Sequence, residues 1–213
     1  MTAGRQWMAG SDVVSMFPTL VWKIELAADV RQRIEATVLP VLDEMRRGLP
    51  LLAPGAAWQS ESALHRHAAL GELVACINEA TRGVLRFLRI GCDAFEITGC
   101  WANALPHGAA HRLHSHPNNF LSGVYYLRTA PGANAISFHD PRPQTGVIRP
   151  PVVALTAENA DQVVVPVTDG TLLLFPAYVA HSVDANTSGQ ERLSISFNLM
   201  FSAFTEELSK PLW

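Results

Sequence analysis

Hydrophobic and polar positions follow two regimes along the chain, first mostly helical and then extended. Val13 to Leu26 reads as an extended leading segment broken at Phe17-Pro18-Thr19, and proline there predicts an edge strand. Val21, Trp22 and Ile24 would supply its buried contacts. From Ala27 the apolar residues Val30, Ile34, Val38, Val41, Leu42 and Met45 recur at helical spacing. Pro40 is a point where that helix would kink or restart, and Gly48, after Arg46 and Arg47, is its stop. Residues 49 to 68 read as a proline-rich loop with a polar second half. Leu70, Leu73, Val74, Ile77, Thr81, Val84, Leu85 and Leu88 form the clearest amphipathic helix. It is predicted to brace one face of a sheet and to end at Gly91.

From Phe95 the period shortens to two. Phe95, Ile97, Gly99 and Trp101 alternate with Glu96, Thr98, Cys100 and Ala102, as if on opposite faces of one strand. Further strands are expected at 120–127, 135–140, 162–167, 171–175, 178–183 and 192–201, with residues 141–161 as loop. Thr168-Asp169-Gly170 is a strong turn signal between two of them. Helices followed by about eight short strands imply a mainly β fold, an antiparallel sandwich or barrel with N-terminal helices packed outside.

Composition narrows the class. The 213 residues suit one domain, with 1–12 a loose arm, 13–91 the leading strand and bracing helices, and 92–202 the β core. A net charge of −3 without a basic run gives no footprint for nucleic acid. No apolar run reaches membrane-spanning length, and the N-terminus lacks a secretory core. The three cysteines Cys76, Cys92 and Cys100 form no CxxC pair, so reduced thiols and a cytoplasmic setting are expected.

The chemistry concentrates in two stretches. His107, His111, His114 and His116 crowd into one short segment. His114-Ser115-His116 puts two imidazoles on one face of an extended chain, where a single metal can take both. His65 and His67 share that spacing, but no apolar strand follows them, so they read as loop residues. The second stretch begins at Gly170 and contains His181, then Arg192, Ser194, Ser196 and Asn198 alternating with Leu193, Ile195, Phe197 and Leu199. One face of that strand is core and the other a polar row headed by an arginine. A guanidinium with a hydroxyl two residues on suits a carboxylate.

These features, with FPT, W-x-N, HSHPNNFLSGVYYL, DPR, GTLLLFP, HSV and ERLSISFN, resemble a bacterial and phage "putative 2OG-Fe(II) oxygenase" group. That group lies within the iron(II)/2-oxoglutarate-dependent dioxygenases, and the resemblance spans roughly residues 13 to 202. It implies a double-stranded β-helix (jelly roll), Fe(II) at the strand-end histidines, and 2-oxoglutarate held by the strand after the last histidine. Mapped onto this chain, His114, His116 and His181 are the metal candidates, and Arg192 and Ser194 the 2-oxoglutarate anchor. Tyr125, Asn103 and Trp101 are expected to line the pocket. The implied reaction is hydroxylation of a small-molecule or amino-acid-like substrate, with release of succinate and carbon dioxide, by a chain expected to form homo-oligomers.

One departure stands out. The usual iron triad has a carboxylate two residues after the first histidine; here that residue is His116. Either three histidines suffice or a remote carboxylate joins, with Asp140 the best candidate; its competing role is to start the turn before Pro141. Asn118 and Asn119 would meet substrate or turn the chain, and Arg128 and Arg142 are rival anion anchors. Two other functions fit the pattern: a cupin-like three-histidine iron dioxygenase that does not use 2-oxoglutarate, and a jelly-roll binding module without catalysis.

Overall fold

The computed structural model describes residues 9–53, 55–92, 94–142, 147–148 and 150–202. The expected arm at 1–12 therefore falls largely outside the described residues; Val13, Val14, Met16 and Phe17, just after it, are exposed. Among the described residues, ten strands form two antiparallel sheets. They are β1 (Trp22–Glu25), β2 (Trp58–Gln59), β3 (Phe95–Leu105), β4 (His111–His114), β5 (Leu121–Arg128), β6 (Ala135–His139), β7 (Gln162–Pro166), β8 (Thr171–Pro176), β9 (His181–Val183) and β10 (Arg192–Phe201). The larger sheet runs β1-β8-β5-β10-β3-β2 and the smaller β4-β9-β6-β7. The two face each other as a double-stranded β-helix, the fold expected from the sequence.

Two helices, α1 (Ala28–Arg46) and α2 (Gly71–Phe87), cover the outer face of the larger sheet. On α1 the buried positions are Ile34, Val38 and Leu42, a single stripe at a spacing of four. On α2 they are Leu73, Ile77, Thr81, Val84 and Leu85. Each large apolar side chain so buried contributes roughly 1.5–3 kcal/mol. Thr81 avoids an unmet hydroxyl by donating to the carbonyl of Ile77 at 2.7 Å. Pro40 stays inside α1 without ending it, and Gly48 takes a left-handed φ of 80° beyond the helix, as its role of stop requires. The stop of α2 differs from expectation. The chain leaves that helix through Arg89 at φ 54°, so Gly91 is not the terminator. At the end of α1, Arg46 grips Glu191 through two 2.7 Å bonds and lies over Trp58. This ties α1 to the turn that leads into β10.

The larger sheet is buried on both faces, so it separates two cores. Toward the helices point Cys100, Ala102, Ala104, Leu121, Tyr125, Leu172, Leu174, Leu193, Ile195, Phe197 and Leu199. Toward the smaller sheet point Leu105, Val124, Tyr126, Leu173 and Phe175, meeting Ile136, Phe138 and Val183. Gly123 lies opposite Phe197, whose ring fills the place of a side chain; a Cβ on Gly123 would come within 2.3 Å of that ring.

β3 corrects the even alternation expected of it. Its pairing with β10 shifts register between Asn198 and Leu199, where Gly99 and then Ile97 are the partners and Thr98 is the extra residue. The bulge swaps the faces: Phe95 and Ile97 pack with the helix-side core, whereas beyond it Cys100, Ala102 and Ala104 do. Trp101 and Asn103 are thereby turned toward the interior between the sheets. Two further differences are local. Trp58 and Gln59, read as loop, add a short edge strand to β3. Strand structure in the expected 178–183 segment is confined to β9.

Candidate metal centre and anion site

Between the sheets lies a cavity of about 540 Å³ lined by residues of both. β4 and β9 pair with His114 opposite His181, which brings together residues far apart in sequence. His116 follows the end of β4, its backbone N–H donating to the carbonyl of Ala177 at 2.9 Å. The two-residue spacing and the β4–β9 pairing bring three rings together. Ring centroids are 4.4 Å apart for His114 and His181, 5.0 Å for His114 and His116, and 5.2 Å for His116 and His181. One ligating atom from each lies within 4.8 Å of the others.

The local hydrogen bonds prepare these rings for a metal. Nδ1 of His114 faces the carbonyl of Arg112 at 2.7 Å, and Nδ1 of His181 that of Val179 at 3.0 Å. A carbonyl can only accept, so each Nδ1 is the donor and Nε2 is the ring atom left to face a metal. Burial, then the neighbouring His114, pushes His116 down to about 4. Burial does the same to His181, also to about 4, against the opposing pull of the Val179 carbonyl. Both are neutral at physiological pH, the form that ligates. Three imidazoles suit Fe(II) or another divalent transition ion. Asp140 is not among the converging groups: its side chain is held by Arg142, with Nη2 to Oδ2 at 2.7 Å and Nε to Oδ1 at 2.9 Å.

The opposite wall is the polar row of β10. Leu193, Ile195, Phe197 and Leu199 face the helix-side core, while Arg192, Ser194 and Ser196 line the cavity. Asn198 ends the row away from it, accepting from Ser122 at 2.7 Å. Arg192 is only 3% exposed. Its Nη1 donates to the carbonyl of Ala135 at 2.7 Å, its Nε is buried without a partner, and its carbon centre lies 4.9 Å from the Tyr126 ring centroid. Among the described residues no carboxylate comes within 4.0 Å of it. A buried guanidinium with no counter-charge is costly and calls for an anion. Ser194, buried beside it, offers a hydroxyl. Asn103 faces the same space from β3: its Nδ2 donates to Ser196 at 2.9 Å, and its Oδ1 is buried without a partner.

Tyr125 is a correction. It pairs with Ile195, on the helix side of the sheet, and belongs to the outer core rather than the cavity wall. The inward tyrosine is Tyr126, paired with Ser194 and stacked on Arg192. Which of two adjacent tyrosines points inward was hidden because β5 is apolar on both faces. The pairing with the polar row of β10 was the signal that could have decided it. His111 was seen only as part of the histidine cluster. It lines the cavity near both Arg192 and His114, and burial, then Arg192, pushes it down to about 4. Asn118 and Asn119 build the turn after His116: Asn118 has φ 64° and Asn119 accepts from Thr98 at 2.6 Å. Arg128 and Arg142 are exposed and away from the cavity lining. His65, His67 and His107 stay outside it too.

Residues 99–198, which contain the three candidate metal ligands and Arg192 with Ser194, match the family model described as "Putative 2OG-Fe(II) oxygenase". Over those residues, just under half of its length, the chain is similar to the 2OG-Fe(II) oxygenases. Solved structures agree in fold. A prolyl-4-hydroxylase from Pseudomonas putida superposes with a TM-score of 0.59 at 18% identity, over 86% of this chain and 94% of its own. The α-ketoglutarate-dependent carbocyclase SnoK from nogalamycin biosynthesis gives 0.61 at 15% identity, over 91% and 87%. HygX from Streptomyces hygroscopicus, solved with nickel and 2-oxoglutarate bound, gives 0.58 at 13%, over 87% and 84%. No curated protein matches the chain in sequence. Among the described residues, no helix is long and apolar enough to cross a membrane.

Proposed function

We propose that the protein is an iron(II)- and 2-oxoglutarate-dependent oxygenase that hydroxylates a small-molecule or amino-acid-like substrate. The observation that carries this reading is the pairing across one cavity of three convergent imidazoles with a buried arginine that has no carboxylate partner among the described residues. His114, His116 and His181 would hold Fe(II), and Arg192 with Ser194 would receive the far carboxylate of 2-oxoglutarate. Bound together, iron and cosubstrate would supply oxidative C–H chemistry with dioxygen as the oxidant, one oxygen atom ending in the succinate left when the 2-oxo acid loses carbon dioxide and the other in the hydroxylated product. The chain's own part is to bind and orient. The Arg112 and Val179 carbonyls fix two ligand rings, Tyr126 and the Ala135 carbonyl hold the Arg192 fork, and the apolar wall of Phe175, Val124 and Ile136 limits water. The nickel and 2-oxoglutarate bound in HygX support the cofactor assignment.

The Arg192–Ser194 pair favours this reading over a cupin-like dioxygenase that dispenses with 2-oxoglutarate, and the histidine trio favours it over a simple binding module. Three free thiols fit a reducing, cytoplasmic setting. The test combines metal analysis of the purified protein with an anaerobic titration of 2-oxoglutarate into its Fe(II) form. Binding of one iron and a saturable visible band upon 2-oxoglutarate addition are expected. Iron without a cosubstrate response would favour the cupin-like reading, and no metal uptake the binding module.

A further inference from the structure

The charge on the cavity wall is one-sided. Among the described lining residues there is no aspartate or glutamate, yet there are two arginines, Arg192 deep inside and Arg112 on β4. Arg112 is exposed, and no carboxylate of the described residues lies within 4.0 Å of it. Its place relative to the metal centre is fixed, because its own carbonyl holds the His114 ring at 2.7 Å. Across from it, Trp101 stands half-buried with its ring 5.9 Å from that of His116. The metal ligands deepen the imbalance, since His116 stands where a carboxylate would cancel one charge of a divalent ion. Once a 2-oxoglutarate dianion has matched that ion, both arginine charges are left over.

A half-enclosed site with surplus positive charge and no acid on its wall attracts anions and rejects cations. We propose that the substrate to be oxidised is itself a carboxylate, received by Arg112, with its body against Trp101. This rests on the oxygenase reading, which assigns Arg192 to the cosubstrate. The test uses Mn(II)-loaded protein saturated with 2-oxoglutarate and a set of aliphatic and aromatic acids, each beside its own primary amide and amine. Paramagnetic broadening of the probe signals reports approach to the metal. Acids are expected to be broadened about threefold or more over their amides, with amines weakest. Arg112→Ala should reduce the acids to the level of the amides, and Arg112→Glu should reverse the order between acids and amines. Equal broadening of acids and amides in the wild type, or an unchanged preference in both variants, overturns the inference. So does a loss of 2-oxoglutarate affinity in Arg112→Ala as large as that in Arg192→Ala, because Arg112 would then serve the cosubstrate. If the wild type binds no 2-oxoglutarate, the oxygenase reading falls and takes this inference with it.

Discussion

Replacing Arg192 tests the proposed cosubstrate site most directly. The side chain is 3% exposed, uses Nη1 on the Ala135 carbonyl, and is part of the cavity lining. A carboxylate taken by that fork would gain two charge-assisted hydrogen bonds, each worth roughly 1.5–3 kcal/mol. Arg192→Ala should therefore weaken 2-oxoglutarate by about 3–5 kcal/mol, or roughly two to four powers of ten in Kd. Stability should suffer less. The variant loses stacking on Tyr126, worth about 0.5–2 kcal/mol, and one hydrogen bond, but also sheds an uncompensated buried charge. Iron should stay bound, because the histidines lie on other elements. Lysine should restore only part of the affinity, since an ammonium lacks the planar fork. The assay is titration of 2-oxoglutarate into anaerobic Fe(II) protein, following the metal-to-ligand absorbance band. An affinity in Arg192→Ala within a factor of two or so of wild type would refute the reasoning, since even one lost bond costs more.

Single replacement of His114, His116 or His181 by alanine should sharply lower iron content by metal analysis; full occupancy in His116→Ala would remove that residue from the ligand set. Asp140→Asn should keep its iron, because the carboxylate is engaged with Arg142; metal loss with an intact circular dichroism spectrum would restore a carboxylate to the centre. Tyr125→Phe should leave 2-oxoglutarate affinity unchanged and be neutral or stabilising on denaturation, as it deletes a buried hydroxyl without a partner. Metal-free protein should lose stability on acidification. The folded-state value of buried His181, about 4, lies below the unfolded value of 6.5, so the unfolded chain takes up the proton first. The loss runs from pH 6.5 down to 4 and reaches on the order of 3 kcal/mol for this residue; a flat stability between pH 7 and 5 in denaturant titrations would contradict it.

What the sequence revealed depended on whether its periodicity survived folding. β10 keeps a regular period of two through its cavity-lining part, so its polar row and its core row could be read directly. In β3 the bulge at Thr98 resets the period, and the alternation Phe95-Ile97-Gly99-Trp101, though real in composition, does not describe one face. β5 is apolar on both sides, which hid the distinction between Tyr125 and Tyr126. The histidine pair at two-residue spacing was legible because it is local. Its meeting with His181 required the pairing of β4 with β9, which no local pattern encodes. Similarly, Trp58 and Gln59 become a strand only because the edge of β3 is available to them.

The candidate metal ligands and the proposed anion anchor belong to different sheets: His114 and His181 lie on β4 and β9, Arg192 on β10. The separation between the sheets, kept by Phe138, Phe175, Leu173 and Val183, thus acts as a calliper on any diacid that must touch both sides. A homologue one methylene longer or shorter, such as 2-oxoadipate or oxaloacetate, could satisfy one jaw only by releasing the other. Cosubstrate choice would then be a property of the inter-sheet packing as much as of the residues in contact. Enlarging or trimming those spacer side chains would retune it without altering any ligand-binding group.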